Sequence, residues 1–232
     1  MSTFNPIFYY NMIKISDPYL VNQVAHYPLN SNSNDVINAQ NGSDTSVSYA
    51  NAGVKGNCAT FSGVSSYFDV ADSNNFSFTN GSSNTPFSIN FWFKIPSWSN
   101  ALILNKRDTS NFEWQLVTES GTNLVFRWYS QNNISLPQSF TITNANTLLT
   151  VNNWHMITIT GNGNNNSVNE VNIYINGGLR TITRPATGRL CMLNTTGILR
   201  AGRISGAIDG LRFWKNRELT STEITNIYTT LY

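Results

Sequence analysis

The chain has 232 residues and a net charge of +2, from 14 Lys and Arg against 12 Asp and Glu. Charged residues make up only 11% of it, against roughly 25% in an ordinary domain, and Asn, Ser and Thr supply the polarity instead. So sparse a charge leaves no basic stripe for nucleic acid and no polybasic or acidic tail, and no run reaches the ~18 apolar residues of a membrane span.

The opening segment, residues 1–22, combines little charge with Phe4, Ile7, Phe8, Tyr9, Tyr10, Met12 and Ile13. It lacks a charged leader, a clean apolar run and a small-residue cleavage site, so no signal peptide is expected and synthesis in the cytoplasm follows. An apolar arm of this kind packs on its own domain or docks on other subunits of an assembly. Residues 23–232 show no internal boundary and are expected to form one domain. The Asn-x-Ser/Thr triplets at Asn41, Asn80 and Asn194 carry little weight without an export signal. Cys58 and Cys191 lie far apart, as two free thiols or one long-range bridge.

Along the chain the apolar residues favour period two, the strand signal. Strands are predicted at Cys58–Phe61, Tyr67–Val70, Phe87–Ile95, Ala101–Asn105, Glu113–Thr118, Leu124–Tyr129, His155–Thr160, Val171–Asn176, Gly197–Arg203 and Ala207–Trp214. In the third of these, Phe87, Ile89, Phe91, Phe93 and Ile95 share one face, while Trp92 joins Ser88, Asn90 and Lys94 on the other. That second face is therefore not wholly solvated. Gly177-Gly178 follow Val171–Asn176 as turn residues, with Leu179–Ile182 returning as the partner strand. A single helix is expected at the end. Thr220 and Glu223 have capping-box spacing, and Ile224, Ile227, Tyr228 and Leu231 recur at helical period. Many short strands with no crossover helices predict an all-β, antiparallel two-sheet sandwich.

The order of these segments resembles the laminin-G-like branch of the concanavalin-A-like jelly rolls, found in many bacterial and viral surface proteins. The likeness covers about residues 24–230. It is carried by Val24–Leu29 with the Asn/Gly-rich loop Asp35–Gly42, by Gly56–Gly63 ending Phe-x-Gly, and by Phe87–Ile95 with Trp92. Asn153–Thr160 with its Trp-His pair, the hairpin Val171–Gly178 and the closing segment Gly206–Thr220 complete it. The resemblance implies a concanavalin-A-like jelly roll and leaves the ligand open, since this fold hosts lectins, hydrolases and structural domains.

Many relatives hold calcium near the first loop, which carries over to Asp35, Asn38, Asn41 and Asp209 as a candidate structural site. The competing reading is an Asx-rich turn that caps itself. Catalysis is not expected. None of Glu113, Glu119, Glu170, Glu218 or Glu223 has an acid two residues away, as a paired-carboxylate glycosidase strand needs. No Gly-x-Ser-x-Gly elbow occurs and no His/Cys cluster has ligand spacing, so His26 and His155 read as structural. Sugar sites combine aromatic platforms with orienting polar groups. Trp98, in a loop, and Trp128 beside Asn132 are the candidates, although alternation also points Trp128 at the core.

Two readings of different class remain. One is a structural or surface component of a viral or phage particle, oligomeric in its context through residues 1–22, bearing a lectin-like domain. The other is a stand-alone module that binds a glycan or surface polysaccharide.

Overall fold

A computed structural model describes residues 19–130, 133–164, 170–185 and 191–231. Two sheets face each other. The first runs β1 (Gln23–Tyr27), β14 (Ser205–Lys215), β5 (Phe87–Lys94), β10 (His155–Gly161), β11 (Val171–Ile175) and β12 (Gly178–Leu179), with β3 (Ala59–Ser62) also on β14. The second runs β2 (Ser43–Thr45), β4 (Tyr67–Val70), β13 (Leu199–Gly202), β6 (Ala101–Arg107), β7 (Phe112–Glu119), β8 (Asn123–Ser130) and β9 (Asn133–Ile142). The pairings are antiparallel. The fold is the expected concanavalin-A-like jelly roll.

The alternation in β5 has the predicted consequence. Phe87, Ile89, Phe91 and Phe93 enter the core, where Leu104, Trp114, Leu116, Phe126, Trp128 and Phe140 meet them from the second sheet. Phe87 stacks on Phe78 with ring centres 4.3 Å apart. The other face of β5 is buried too. Trp92 joins Met156, Tyr174 and Trp214 in a second apolar cluster, roofed by Leu219, Ile224 and Ile227.

That roof is α1 (Ser221–Asn226) and the π-turn Ile227–Leu231 that continues it. Thr220 caps the helix as its spacing predicts. The Glu223 backbone N–H donates to Thr220 Oγ1 at 3.2 Å, and the Thr220 N–H donates to the Glu223 carboxylate at 2.8 Å. Ser88, on the same outer face as Trp92, accepts the Leu219 N–H at 2.9 Å and donates to Arg217 O at 3.1 Å, holding the entry to the helix down. The outer face of the first sheet is thus covered where β5, β10, β11 and β14 meet the helix.

Residues 19–22 belong to the body of the domain rather than to an arm. Trp214 Nε1 donates to Tyr19 O at 2.6 Å, and Arg217 donates to Val21 O at 2.7 Å. Residues 1–18 lie outside the described residues.

The structure corrects the hairpin after β11. Its two-residue turn is Asn176-Gly177, not Gly177-Gly178, and both residues have positive φ, 53° and 78°. This is the geometry a type I′ turn requires, and Asn-Gly is its preferred pair. The return strand is only Gly178–Leu179. The chain then leaves the sheet, and Thr183 pairs with Thr141 on β9 of the other one. Both cysteines are free thiols, Cys58 buried and Cys191 half-buried.

Candidate functional site

The four residues proposed for calcium do other work. Asp35 is 6% exposed and its carboxylate is fully subscribed. Oδ1 accepts the N–H groups of His26 and Ile37 at 2.8 and 2.9 Å; Oδ2 accepts those of Asn38 and Gln40 at 3.0 and 3.2 Å. Asn41 Oδ1 accepts the Asp35 N–H at 3.0 Å, and Asn38 donates its amide to Val24 O at 2.9 Å. The loop is a self-capping turn locked to the edge strand β1. Asp209, fully buried opposite Trp92 on the first sheet, accepts the Val54 and Lys55 N–H groups at 2.7 and 3.2 Å. Gly53 lies so close to that carboxylate that a Cβ there would overlap it. Two carboxylates committed to separate turns do not make the shared oxygen cage that calcium needs. Among the described residues no group of three or more His, Cys, Asp or Glu side chains is placed to hold a metal. The donor set does not fit the ion.

The aromatic candidates are corrected in the same way. Trp128 is fully buried, set directly opposite Trp114 across β7 and β8 and packed 4.8 Å from Phe140, because strand alternation turns it inward. Trp98 is half-buried, lies against the main core and donates Nε1 to Leu149 O at 3.2 Å, so its ring serves the sandwich. Asn132 lies outside the described residues.

Neither histidine is arranged for catalysis. His155 accepts the Asn176 amide at Nδ1, 3.1 Å away, and its Nε2 lies 3.2 Å from both Thr150 O and Thr150 Oγ1. Asn176 Oδ1 in turn accepts the Met156 N–H at 2.9 Å. The Trp-His strand and the Asn-Gly hairpin are therefore tied through one imidazole. His26 is largely buried with Nε2 unpartnered, and burial, then Arg212, then Lys55, lower its pKa to about 3. A base that weak serves no reaction near neutrality. Glu113 is fully buried, and burial pushes its carboxyl above the usual range. It lies 3.0 Å from Lys106 Nζ, also fully buried, which reaches Asp72 and Gly197 O at 2.6 Å each.

A site that the sequence reading missed lies on the outer face of the second sheet. Strand register sets Asp69, Arg200, Asn105, Gln115 and Arg127 side by side across β4, β13, β6, β7 and β8. Directly opposed residues share a face, and Leu104, Leu116 and Phe126 occupy the other one. Along β6 and β13 this row opens into a groove of about 550 Å³, lined among others by Asn100, Asn105, Arg107, Asp108, Arg200 and Arg203. The volume is typical of a small-ligand site (roughly 300–1,000 Å³).

The three guanidinium groups differ in how far they are committed. Arg200 grips Asp69 with two bonds of 2.5 and 2.6 Å and lies 4.0 Å over the Tyr67 ring; the Asp69 bonds raise its pKa further. Arg107 donates Nη1 to Gln115 at 3.0 Å and stacks 4.6 Å over Phe112. Arg203 gives only Nε, to Val64 O at 3.1 Å, so its terminal amino groups keep their donors. Asp108 spends its carboxylate on the following turn, accepting the Ser110 and Asn111 N–H groups at 2.8 and 2.9 Å and the Asn111 side-chain amide. Those bonds hold its pKa below the usual range. Asn105 lines the groove and is 3% exposed. Its amide nitrogen donates to Arg107 O at 3.2 Å, while its Oδ1 is buried without a partner. A second cavity of similar volume, beside Cys58, Lys94 and Asn152, offers less. Lys94 is drawn 4.7 Å over Trp154, and burial raises the Cys58 thiol pKa.

A sandwich of this order, with one face roofed and the other grooved and polar, is a lectin-like β-sandwich domain. The sequence model of the concanavalin A-like lectin/glucanases superfamily (Laminin_G_3) matches residues 61–225, and the chain belongs to that family. No curated protein matches the sequence. Among solved structures, the binding domain of Paraclostridial Mosquitocidal Protein 1 superposes with a TM-score of 0.69 at 19% identity, over 91% of this chain and 52% of that one. The botulinum neurotoxin serotype D binding domain gives 0.67 at 18% identity, over 89% and 50%. The same values hold for the serotype D ligand binding domain solved in complex with N-acetylneuraminic acid. The chain spans about half the length of these structures, and at such identity they share its fold alone.

Proposed function

We propose that the chain is a non-catalytic, lectin-like adhesive domain on the surface of a viral or phage particle, and that the groove along β6 and β13 receives the glycan. The observation that carries the glycan reading is the unsatisfied Asn105 Oδ1 in a groove that it shares with Arg107 and with Arg203, whose terminal amino groups keep their donors. A buried acceptor without a partner costs roughly 1–3 kcal/mol, which a ligand hydroxyl or amide N–H recovers. The neighbour solved with N-acetylneuraminic acid supports a sugar ligand for a fold of this kind. The commitment of Asp35, Asp209 and Glu113 to backbone amides or to Lys106 supports a binding role without chemistry. The particle assignment rests on the apolar composition of residues 1–18.

The test is a panel of immobilised neutral and acidic oligosaccharides, read for retention of the chain and for released sugar. Retention without release is expected. Failure to bind any member overturns the glycan reading, and release of product overturns the non-catalytic one.

A further inference from the structure

The groove's donors and its one orphan acceptor ask for different things from a ligand. Arg107 and Arg203 offer N–H donors and positive charge, which call for an anion, and a guanidinium fork fits a carboxylate in two parallel bonds. Asn105 Oδ1, buried and without a partner, calls for a donor. A simple phosphate or sulfate ion presents acceptors and would leave Asn105 unsatisfied. A neutral sugar satisfies Asn105 and wastes the charge. The charge itself is modest. Asp108 lines the groove and Asp69 neutralises Arg200 from alongside, so the surplus is a single positive charge. That matches an isolated carboxylate rather than the charge density of a polysulfated chain.

We infer that the groove selects a carboxylate-bearing sugar, with Arg203 and Arg107 binding the carboxylate and Asn105 Oδ1 accepting from a neighbouring hydroxyl or amide N–H of the same ring. This rests on the glycan reading above and narrows it to the acidic sugars. Arg200 is a positioning residue. Its double bond to Asp69 and its stacking on Tyr67 hold the groove wall, and it has less to give a ligand. Arg203 sits in the β13–β14 turn at φ 61°, where its rim position lets the side chain change without disturbing a strand.

The experiment measures binding by titration calorimetry with two matched pairs, 3′-sialyllactose against its carboxyl methyl ester and tetragalacturonate against its methyl ester. Within each pair the sugar framework is shared and the carboxylate charge is what changes. The acidic member of at least one pair is expected to bind about tenfold or more tightly than its neutral partner, the magnitude of one charge-assisted hydrogen-bond pair. Arg203→Gln should remove that preference. Arg203→Lys, which keeps the charge and loses the planar fork, should restore only part of it. Raising the salt from 50 to 500 mM should narrow the gap. Neutral members that bind as tightly as acidic ones, or an acid preference unchanged in Arg203→Gln, overturn the inference while the glycan reading stands. No binding to any of the four overturns it as well, and the wider panel then decides whether the glycan reading falls with it. Melting temperatures of both Arg203 variants, expected to match the wild type, separate lost recognition from lost fold.

Discussion

At the scale of single residues, the buried ionisable groups set the stability of this domain. His26 is held neutral by burial and by the nearby charges of Arg212 and Lys55, with its pKa lowered from 6.5 to about 3. Below pH 6.5 the unfolded chain takes up a proton that the folded chain refuses until about pH 3. The unfolded state binds more protons throughout that window, so this contribution to stability falls as pH falls through it and is constant above. The slope is at most about 1.4 kcal/mol per pH unit. Urea unfolding at pH 4.5 and pH 7.5 should therefore show a larger loss for the wild type than for His26→Gln. Equal losses would mean that His26 titrates normally. Lys106 is the opposite case, a buried cation satisfied by Asp72, Glu113 and Gly197 O. Lys106→Met should cost about 3–5 kcal/mol in equilibrium unfolding, because Glu113 is left without its counter-charge. Asp35 organises four backbone N–H groups, so Asp35→Ala should lower the melting temperature sharply, and added calcium should shift neither protein. A calcium-dependent rise in the wild type alone would restore the ion to that loop.

At the scale of elements, the helix cap and the strand signals have different reach. The Thr220/Glu223 spacing announces α1, and Thr220→Ala should cost about 1 kcal/mol by thermal unfolding, with loss of order over the Trp92–Trp214 cluster. Stacking of Tyr228 on Trp92, with ring centres 5.6 Å apart, makes tryptophan fluorescence a direct readout of that loss. Strands with an apolar face were legible in the sequence to within a residue or two, as Tyr67–Val70 and Phe87–Lys94 show. Two of the strands that alternation did not reveal are at the edges of the second sheet. β2 is Ser-Asp-Thr, exposed throughout, with no apolar residue to set a period. β9 contains Pro137, which argues against a central strand and is tolerated where one side needs no ladder partner. The Asn-Gly turn was placed one residue late because Gly177-Gly178 offers the same freedom without the Asn preference of a type I′ turn.

At the scale of the whole molecule, the sandwich was legible and the groove was not. A core face repeats locally, so alternation finds it. The groove is assembled from Arg107 at the end of one strand and from Arg200 and Arg203 some ninety residues later, and only the register of β13 on β6 joins them. The aromatic residues that looked like sugar platforms, Trp98 and Trp128, were taken by the core, which has first claim on large apolar surface. The amino-terminal segment belongs to this scale as well. Residues 19–22 are bonded to the closing strand and its exit, so a chain beginning at Tyr19 should fold as a monomer. Light scattering should show the full chain in a defined oligomer if residues 1–18 dock on a neighbouring subunit. Two equal monomers would argue against the particle role and favour a stand-alone glycan-binding module.

The proposed function has a glycan enter the groove along β6 and β13. Hydrogen exchange, measured with and without the tightest-binding oligosaccharide of the panel, tests it most directly. Slowed exchange confined to residues 100–109 and 198–203 is the expected result. Protection concentrated instead at the Asp35–Gly42 loop, around Trp98 or beside Cys58, with the groove unchanged, would contradict the account.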